Sequence, residues 1–122
     1  MSVAAEKEET PSRSKEKESI FQENEIATCG VIFTELLRGS KNPKESEKLK
    51  TVLECFEYLS FEKQDWLEIS SLFAKLKKNG LTIPVQDGII AYLAIKNDCQ
   101  LWTFDNHFKL IKTVVPVLKL FG

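Results

Sequence analysis

An almost uninterrupted apolar run in the last third of the chain constrains the fold most. Seven consecutive positions, from Ile89 to Ile95, carry only Ile, Ala, Leu or Tyr. A helix that is apolar on every side is stable only when the rest of the protein covers it. The pattern therefore predicts a buried helix over residues 85–97.

Strand and helix patterns alternate on both sides of that run. Residues 26–29 are a short apolar stretch typical of a buried strand, and the apolar spacing over 31–38 predicts a helix after it. Further along, we expect a strand at 100–104, a short helix within 105–111 and an edge strand at 114–120. The alternation favours an α/β domain with a mostly parallel sheet and functional groups at the carboxyl ends of its strands.

Two further helices have clear start and stop signals. Asn42, Pro43 and Glu45 are typical of a helix start, because Asn caps, Pro suits the first helical position and Glu completes the first turn. Another helix is predicted over residues 65–79, with lysines in its last turn and Gly80 at its end.

The composition changes near residue 20. Residues 1–19 contain no aromatic residue and only four apolar ones. They cannot bury enough surface to fold alone, so we expect a charged mobile N-terminal segment or a weakly held helix. The chain has 122 residues, 43% of them hydrophobic, which suffices for one core. Residues 20–122 are predicted to form a single domain.

Composition also excludes several classes of function. The net charge of -1 excludes binding to nucleic acid through bulk charge. No membrane span or secretory signal is recognisable in the sequence. We therefore expect a cytoplasmic location and no association with a membrane. The three cysteines are odd in number and widely spaced, which indicates reduced thiols and no zinc site. Motifs of serine hydrolases, dinucleotide folds and phosphate loops are absent, which leaves carboxylate chemistry.

Three acidic residues stand where predicted strands lead into helices. Glu35 lies in the helix after the first apolar strand, Asp87 in the first turn of the apolar helix, and Asp105 just after the strand at 100–104. Such edges converge on one crevice of an open α/β sheet. Two carboxylates about 4 Å apart repel by roughly 4 kcal/mol at an effective dielectric constant near 20, so a cation or shared protons must hold them together. Carboxylate ligands favour Mg²⁺ or Mn²⁺.

Each acid also has an ordinary structural interpretation. Asp87 suits the positive end of a helix dipole, Asp105 could cap the helix after it, and Glu35 could pair with Arg38 on a solvated helix surface. His107 is interpreted as a neighbour that packs or hydrogen-bonds locally, not as a ligand. The functional hypothesis therefore depends on the joint placement of the three acids.

Three segments of the chain, residues 26–39, 80–95 and 101–108, resemble motifs that follow one another in the same order in the PIN-domain nucleases. Among these nucleases, the resemblance is to the VapC-type ribonuclease toxins of bacterial toxin–antitoxin pairs. The similarity extends over about residues 20–120. The resemblance implies that Glu35, Asp87 and Asp105 bind Mg²⁺ or Mn²⁺ for hydrolysis of RNA, and that Thr103 supports the acidic pocket. It also implies a homodimer and a small antitoxin that inserts into the active site.

The chain departs from the family pattern at its start. Family members open with an apolar strand that ends in a metal-binding Asp, whereas no Asp precedes Asp65 here. We therefore expect the first strand to be missing or replaced, through a start assigned too late, a damaged gene or a natural loss.

Two hypotheses follow. The first is a metal-dependent endoribonuclease, weakened or inactive as written; the second is a catalytically inactive PIN-like module that binds RNA or an antitoxin. RNA contacts are expected at Arg38 and Lys41, because the net charge offers no long-range attraction.

Overall fold

The computed structural model describes residues 2–4, 26–103 and 105–121. Within these ranges lies a five-stranded sheet of β1 Ser2–Ala4, β2 Ile26–Thr28, β3 Glu57–Tyr58, β4 Gln100–Trp102 and β5 Lys119–Leu120. The described helices are α1 Gly30–Arg38, α2 Pro43–Glu54, α3 Lys63–Lys78, α4 Val85–Lys96 and α5 Asn106–Val114. All neighbouring strands are parallel, so the predicted α/β class with a parallel sheet is confirmed.

The strand order β3-β2-β1-β4-β5 puts β1 at the centre of the sheet. Val3 pairs with Ala27 of β2 and with Leu101 of β4. This short strand satisfies backbone donors and acceptors that β2 and β4 would otherwise leave without partners. Ser2–Ala4 thus takes the sheet position where the sequence predicted a missing or replaced first strand, and its three residues include no acid.

The predicted mobile segment, residues 1–19, is described only at residues 2–4. Those three residues pair with β2 on one side and β4 on the other through backbone groups. The mobile segment as a whole stays a prediction. The rest of that segment, and the predicted domain start at residue 20, lie outside the described residues.

The apolar helix lies in the core, as predicted. Ile90, Ala91, Leu93 and Ala94 of α4 are at most 1% exposed and belong to the main hydrophobic cluster. Other members of that cluster come from β4 and α5, among them Leu101, Phe108 and Ile111. Because α4 is enclosed by several elements, the polar residue in its first turn, Asp87, is buried with it.

The helix boundaries follow the capping residues. The Asn42 side chain accepts a hydrogen bond of 2.8 Å from the Glu45 backbone N–H, as the predicted start of α2 requires. The helix predicted at 65–79 begins earlier, at Lys63, because Glu62 and Asp65 form a reciprocal capping box. The strand predicted at 114–120 is too long. Helix α5 runs to Val114, and only Lys119–Leu120 pair with β4.

A close helix contact holds the first turn of α4. A Cβ atom at Gly88 would lie 2.1 Å from Cζ of Phe73 on α3, so any larger residue at this point requires the Phe73 ring to move. The two helices are also linked farther along by Asp65, which is 1% exposed. Its Oδ1 accepts hydrogen bonds from the Tyr92 hydroxyl at 2.7 Å and from Lys96 Nζ at 2.6 Å. These bonds, above all that from Lys96, lower the pKa of Asp65 to about 2.

This network predicts a specific acid sensitivity. The folded-state pKa of Asp65 lies below the unfolded value of about 3.9, so its stabilising effect is complete above pH 4 and is lost as the pH falls toward 2. We expect Asp65→Asn to lower Tm by several degrees at pH 7, and the difference from wild type to shrink between pH 4 and pH 2.

The matched control for this experiment is Asp98→Asn. Asp98 also bonds a lysine, Lys119, at 2.6 Å, but its side chain is 81% exposed, so water and salt screen the pair. Asn also tolerates the left-handed backbone at this position, where φ is 54°. Melting curves followed by circular dichroism give the Tm of each variant at each pH. Equal decreases in Tm for Asp65→Asn and Asp98→Asn would contradict a special role for Asp65.

Among the described residues, no helix combines the length and the apolar content needed to cross a bilayer.

Candidate functional site

Two of the predicted acids meet at the carboxyl end of β4. Asp87 is the third residue of α4 and is completely buried. Asp105 is the N-cap of α5, where its Oδ1 accepts a 2.9 Å hydrogen bond from the His107 backbone N–H. The capping interpretation of Asp105 therefore applies as well, because one carboxylate both caps the helix and lies beside Asp87.

Thr103 supports the turn that carries Asp105. Its Oγ1 accepts a hydrogen bond of 3.0 Å from the Asp105 backbone N–H. The bond joins the end of β4 to the start of α5 and orients the capping residue. Through this bond Thr103 can support the acidic pocket by positioning Asp105, without binding a metal ion itself.

The imidazole of His107 lies between the two aspartates. Its Nδ1 is 2.8 Å from Asp87 Oδ2 and 3.4 Å from Asp105 Oδ1. Ligand atoms of the three residues all lie within 4.8 Å of one another, the geometry of a group that could hold a metal ion. The sequence interpretation of His107 as a local hydrogen-bonding neighbour describes the bond but missed its place in the acidic group. The available signal was the Asp105-x-His107 spacing at a helix start, which puts both residues in one turn.

The electrostatics of this group favour positive charge. A carboxylate as deeply buried as that of Asp87 loses its hydration, and a second carboxylate nearby adds repulsion. A cation held between the acids offsets both costs. The arrangement is therefore suited to binding a divalent ion.

Glu35 is not a member of this group. Of the described residues, only Asp87, Asp105 and His107 form the candidate metal cluster, and Glu35 instead lines an adjoining cavity together with Gln86, the residue before Asp87. Burial raises the pKa of the Cys29 thiol in the same cavity wall, and the nearby Glu35 charge adds to that rise. Two of the three predicted acids are thus brought together, and metal binding by Glu35 stays a prediction.

The adjoining cavity has a volume of about 500 Å³ and an aromatic wall. Tyr58 and Trp66 line it and are about half exposed, and Phe61 packs edge-on against Trp66 with ring centroids 4.6 Å apart. Arg38 lies on the same wall, whereas Lys41 lines a separate cavity of about 390 Å³ beside the start of α2. The two basic residues predicted to contact RNA therefore line different cavities, and their RNA contacts stay a prediction.

Comparisons with known proteins agree on one protein family. The sequence model of the PIN domain family matches residues 2–113. Ribonuclease VapC1 of Methanocaldococcus jannaschii is 32% identical over 83 residues, which are 67% of this chain and 61% of that protein. The aligned region thus spans about three fifths of the relative's length.

Solved structures share the whole fold. VapBC2 from Rickettsia felis, bound to a DNA fragment from its promoter, gives a TM-score of 0.75 at 25% identity and covers 99% of this chain and 98% of its own. VapBC-1 from nontypeable Haemophilus influenzae has a TM-score of 0.73 at 21% identity, and the match covers 100% of this chain and 98% of that one. FitAcB from Neisseria gonorrhoeae has a TM-score of 0.70 at 16% identity, and the match covers 100% of this chain and 97% of that one. The last two likenesses concern the fold alone.

Proposed function

The chain belongs to the PIN domain family, and on that premise we propose that it is a metal-dependent endoribonuclease and the toxin of a type II toxin–antitoxin pair. The observation that carries this proposal is the buried Asp87 carboxylate beside Asp105 at the carboxyl end of a central parallel sheet. The likeness to a VapC ribonuclease supports RNA as the substrate.

The residues at the site fit a divalent cation. Asp87 and Asp105 would hold it through carboxylate oxygens, the donors that Mg²⁺ and Mn²⁺ take in proteins. The ion would supply positive charge at the scissile phosphate and would acidify the attacking water. The protein keeps both carboxylates in place, Asp87 by enclosure in the core and Asp105 by its two hydrogen bonds at the start of α5.

The aromatic cavity beside the acids suits a single-stranded substrate. Unpaired bases stack on aromatic rings, and both Trp66 and Tyr58 leave about half of their surface accessible. Arg38 on the same wall offers a cation for the phosphate backbone, which the overall charge of -1 does not provide. We propose that RNA enters through this cavity and reaches the carboxylates past Gln86.

Trp66→Ala is expected to weaken RNA binding by roughly tenfold, because stacking on one aromatic residue contributes about 1–3 kcal/mol per base. Leu67→Ala is the matched control, since Leu67 is the next residue of α3, is 62% exposed and is not part of the cavity wall. Fluorescence anisotropy with a labelled single-stranded RNA measures the RNA affinity of each variant. Equal affinities for the two variants would exclude this route.

The proposed partners follow from the relatives. VapBC2 of Rickettsia felis supports a small antitoxin as the partner of this chain, and we propose that the chain also forms a homodimer. An enzyme that acts on cellular RNA would work in the cytoplasm, the location expected from the sequence.

One observation favours a second candidate function. The central strand Ser2–Ala4 carries no acid, although the family pattern places a metal-binding Asp at the end of this strand. On this alternative the chain binds RNA or the antitoxin without cleaving RNA.

A cleavage assay separates the nuclease from the binding module. The purified chain is incubated with single-stranded RNA and either Mg²⁺ or Mn²⁺, and EDTA serves as the control. Metal-dependent fragments support the nuclease. RNA binding without fragments supports the binding module.

A further inference from the structure

We propose that His107 is the third protein ligand of the metal centre and that it gives the centre a preference for Mn²⁺ over Mg²⁺. The inference rests on the proposed function, which requires an ion at Asp87 and Asp105. It adds a nitrogen ligand to a site that the sequence predicted to consist of carboxylates alone.

The position of the imidazole carries the first step. His107 Nδ1 lies 2.8 Å from an oxygen of buried Asp87 and 3.4 Å from an oxygen of Asp105, so one nitrogen atom faces both carboxylates. The backbone N–H of His107 is bonded to the Asp105 side chain, which anchors the residue in the first turn of α5. An ion held by both aspartates would therefore meet this nitrogen.

The neutral imidazole fits this role. Metal ligation by Nδ1 would use the imidazole tautomer that carries its proton on Nε2 and has a free lone pair on Nδ1. The His107 side chain is 43% exposed, which leaves part of the ring in contact with water.

The chemistry of the donors sets the preference. Mg²⁺ is a hard ion that takes oxygen ligands in a near-octahedral arrangement, whereas Mn²⁺ also binds carboxylates but, as a first-row transition metal, accepts a nitrogen ligand beside them. The central strand at Ser2–Ala4 contributes no acid. Within the described part of the chain, the donor grouped with the two aspartates is therefore a nitrogen, which disfavours Mg²⁺ relative to Mn²⁺.

The test uses the fact that His107 is the chain's only histidine. The full chain, free of any histidine tag, is titrated with Mn²⁺, and binding is followed through loss of the free-ion EPR signal. Pulsed EPR on the bound ion then detects a directly ligated imidazole nitrogen. We expect this nitrogen modulation in the wild type and its absence in His107→Gln. Mn²⁺ affinity in that variant should fall about tenfold or more, since removal of outer-shell partners alone costs 10–100-fold.

His107→Asp tests the selectivity in the opposite direction. It offers oxygen where the wild type offers nitrogen, so the ratio of Mg²⁺ to Mn²⁺ affinity should rise, as measured by competition of Mg²⁺ against bound Mn²⁺. Asn106→Ala, at the exposed neighbouring position of the same turn, is the control and should leave both affinities unchanged.

The outcomes separate the inference from the proposed function. Bound Mn²⁺ that Asp87→Asn releases, but without nitrogen modulation in the wild type, would overturn the role of His107 and leave the carboxylate site standing. No Mn²⁺ binding by the wild type would overturn the metal centre itself. The wild-type spectrum decides the first question even if a His107 variant fails to fold.

Discussion

Asp87→Asn should reduce metal-dependent RNA cleavage by at least about a hundredfold, the scale of loss when one electrostatic contact to a reacting group is removed. The substitution removes a ligand charge at nearly constant volume. The fold should survive it, because Asn has nearly the shape of Asp and its side chain can still hydrogen-bond to His107 Nδ1. Single-turnover cleavage of labelled RNA and a melting curve on the same sample measure the two effects.

Asp105→Asn provides a matched test at the second acid. Asn caps a helix as well as Asp does, so α5 keeps its start while the site loses a charge. A similar loss of cleavage with an unchanged Tm would assign the effect to metal binding. Asp98→Asn, an exposed acid that pairs with Lys119, should leave cleavage unchanged. If Asp87→Asn cleaves as fast as the wild type, Asp87 has no part in the reaction and the binding-module alternative remains.

Ala5→Asp is expected to raise Mg²⁺ affinity and RNA cleavage by roughly tenfold, because an added carboxylate supplies a further hard oxygen ligand. Ala5 follows the last residue of β1 in sequence, and β1 lies between β2 and β4 with Ala4 paired to Trp102. The carboxyl ends of parallel strands meet at one edge, which is where β4 leads to Asp105. From its place in the sequence, directly after β1, an acid at position 5 is therefore expected to restore the family pattern.

Ser2→Asp is the control for this gain of function. It adds the same charge at the amino end of the same strand, about 7 Å or more from the carboxyl end at a rise of roughly 3.3 Å per residue. Isothermal titration with Mg²⁺ and the cleavage assay should separate the two variants. Equal behaviour of Ala5→Asp and Ser2→Asp would show that the absent acid at this strand does not limit the site.

Short-range patterns were enough to predict much of the molecule. The apolar run from Ile89 to Ile95 predicted the buried helix, and Asn42 with Pro43 predicted the start of α2, because capping and burial periodicity act within a few residues. The order of three short motifs indicated the PIN family. The proximity of Asp87 and Asp105 followed from the rule that carboxyl ends of parallel strands converge.

Contacts between distant elements were decided by packing. Nδ1 of His107 reaches Asp87 across 20 positions of sequence, and Lys96 reaches Asp65 across 31, so neither pair has a local signature. Glu35 lines the adjoining cavity, and its part in metal binding stays a prediction. Composition identifies which residue types can carry chemistry. Which of their atoms come within ligand distance depends on how the helices pack on the sheet, and only the tertiary structure contains that information.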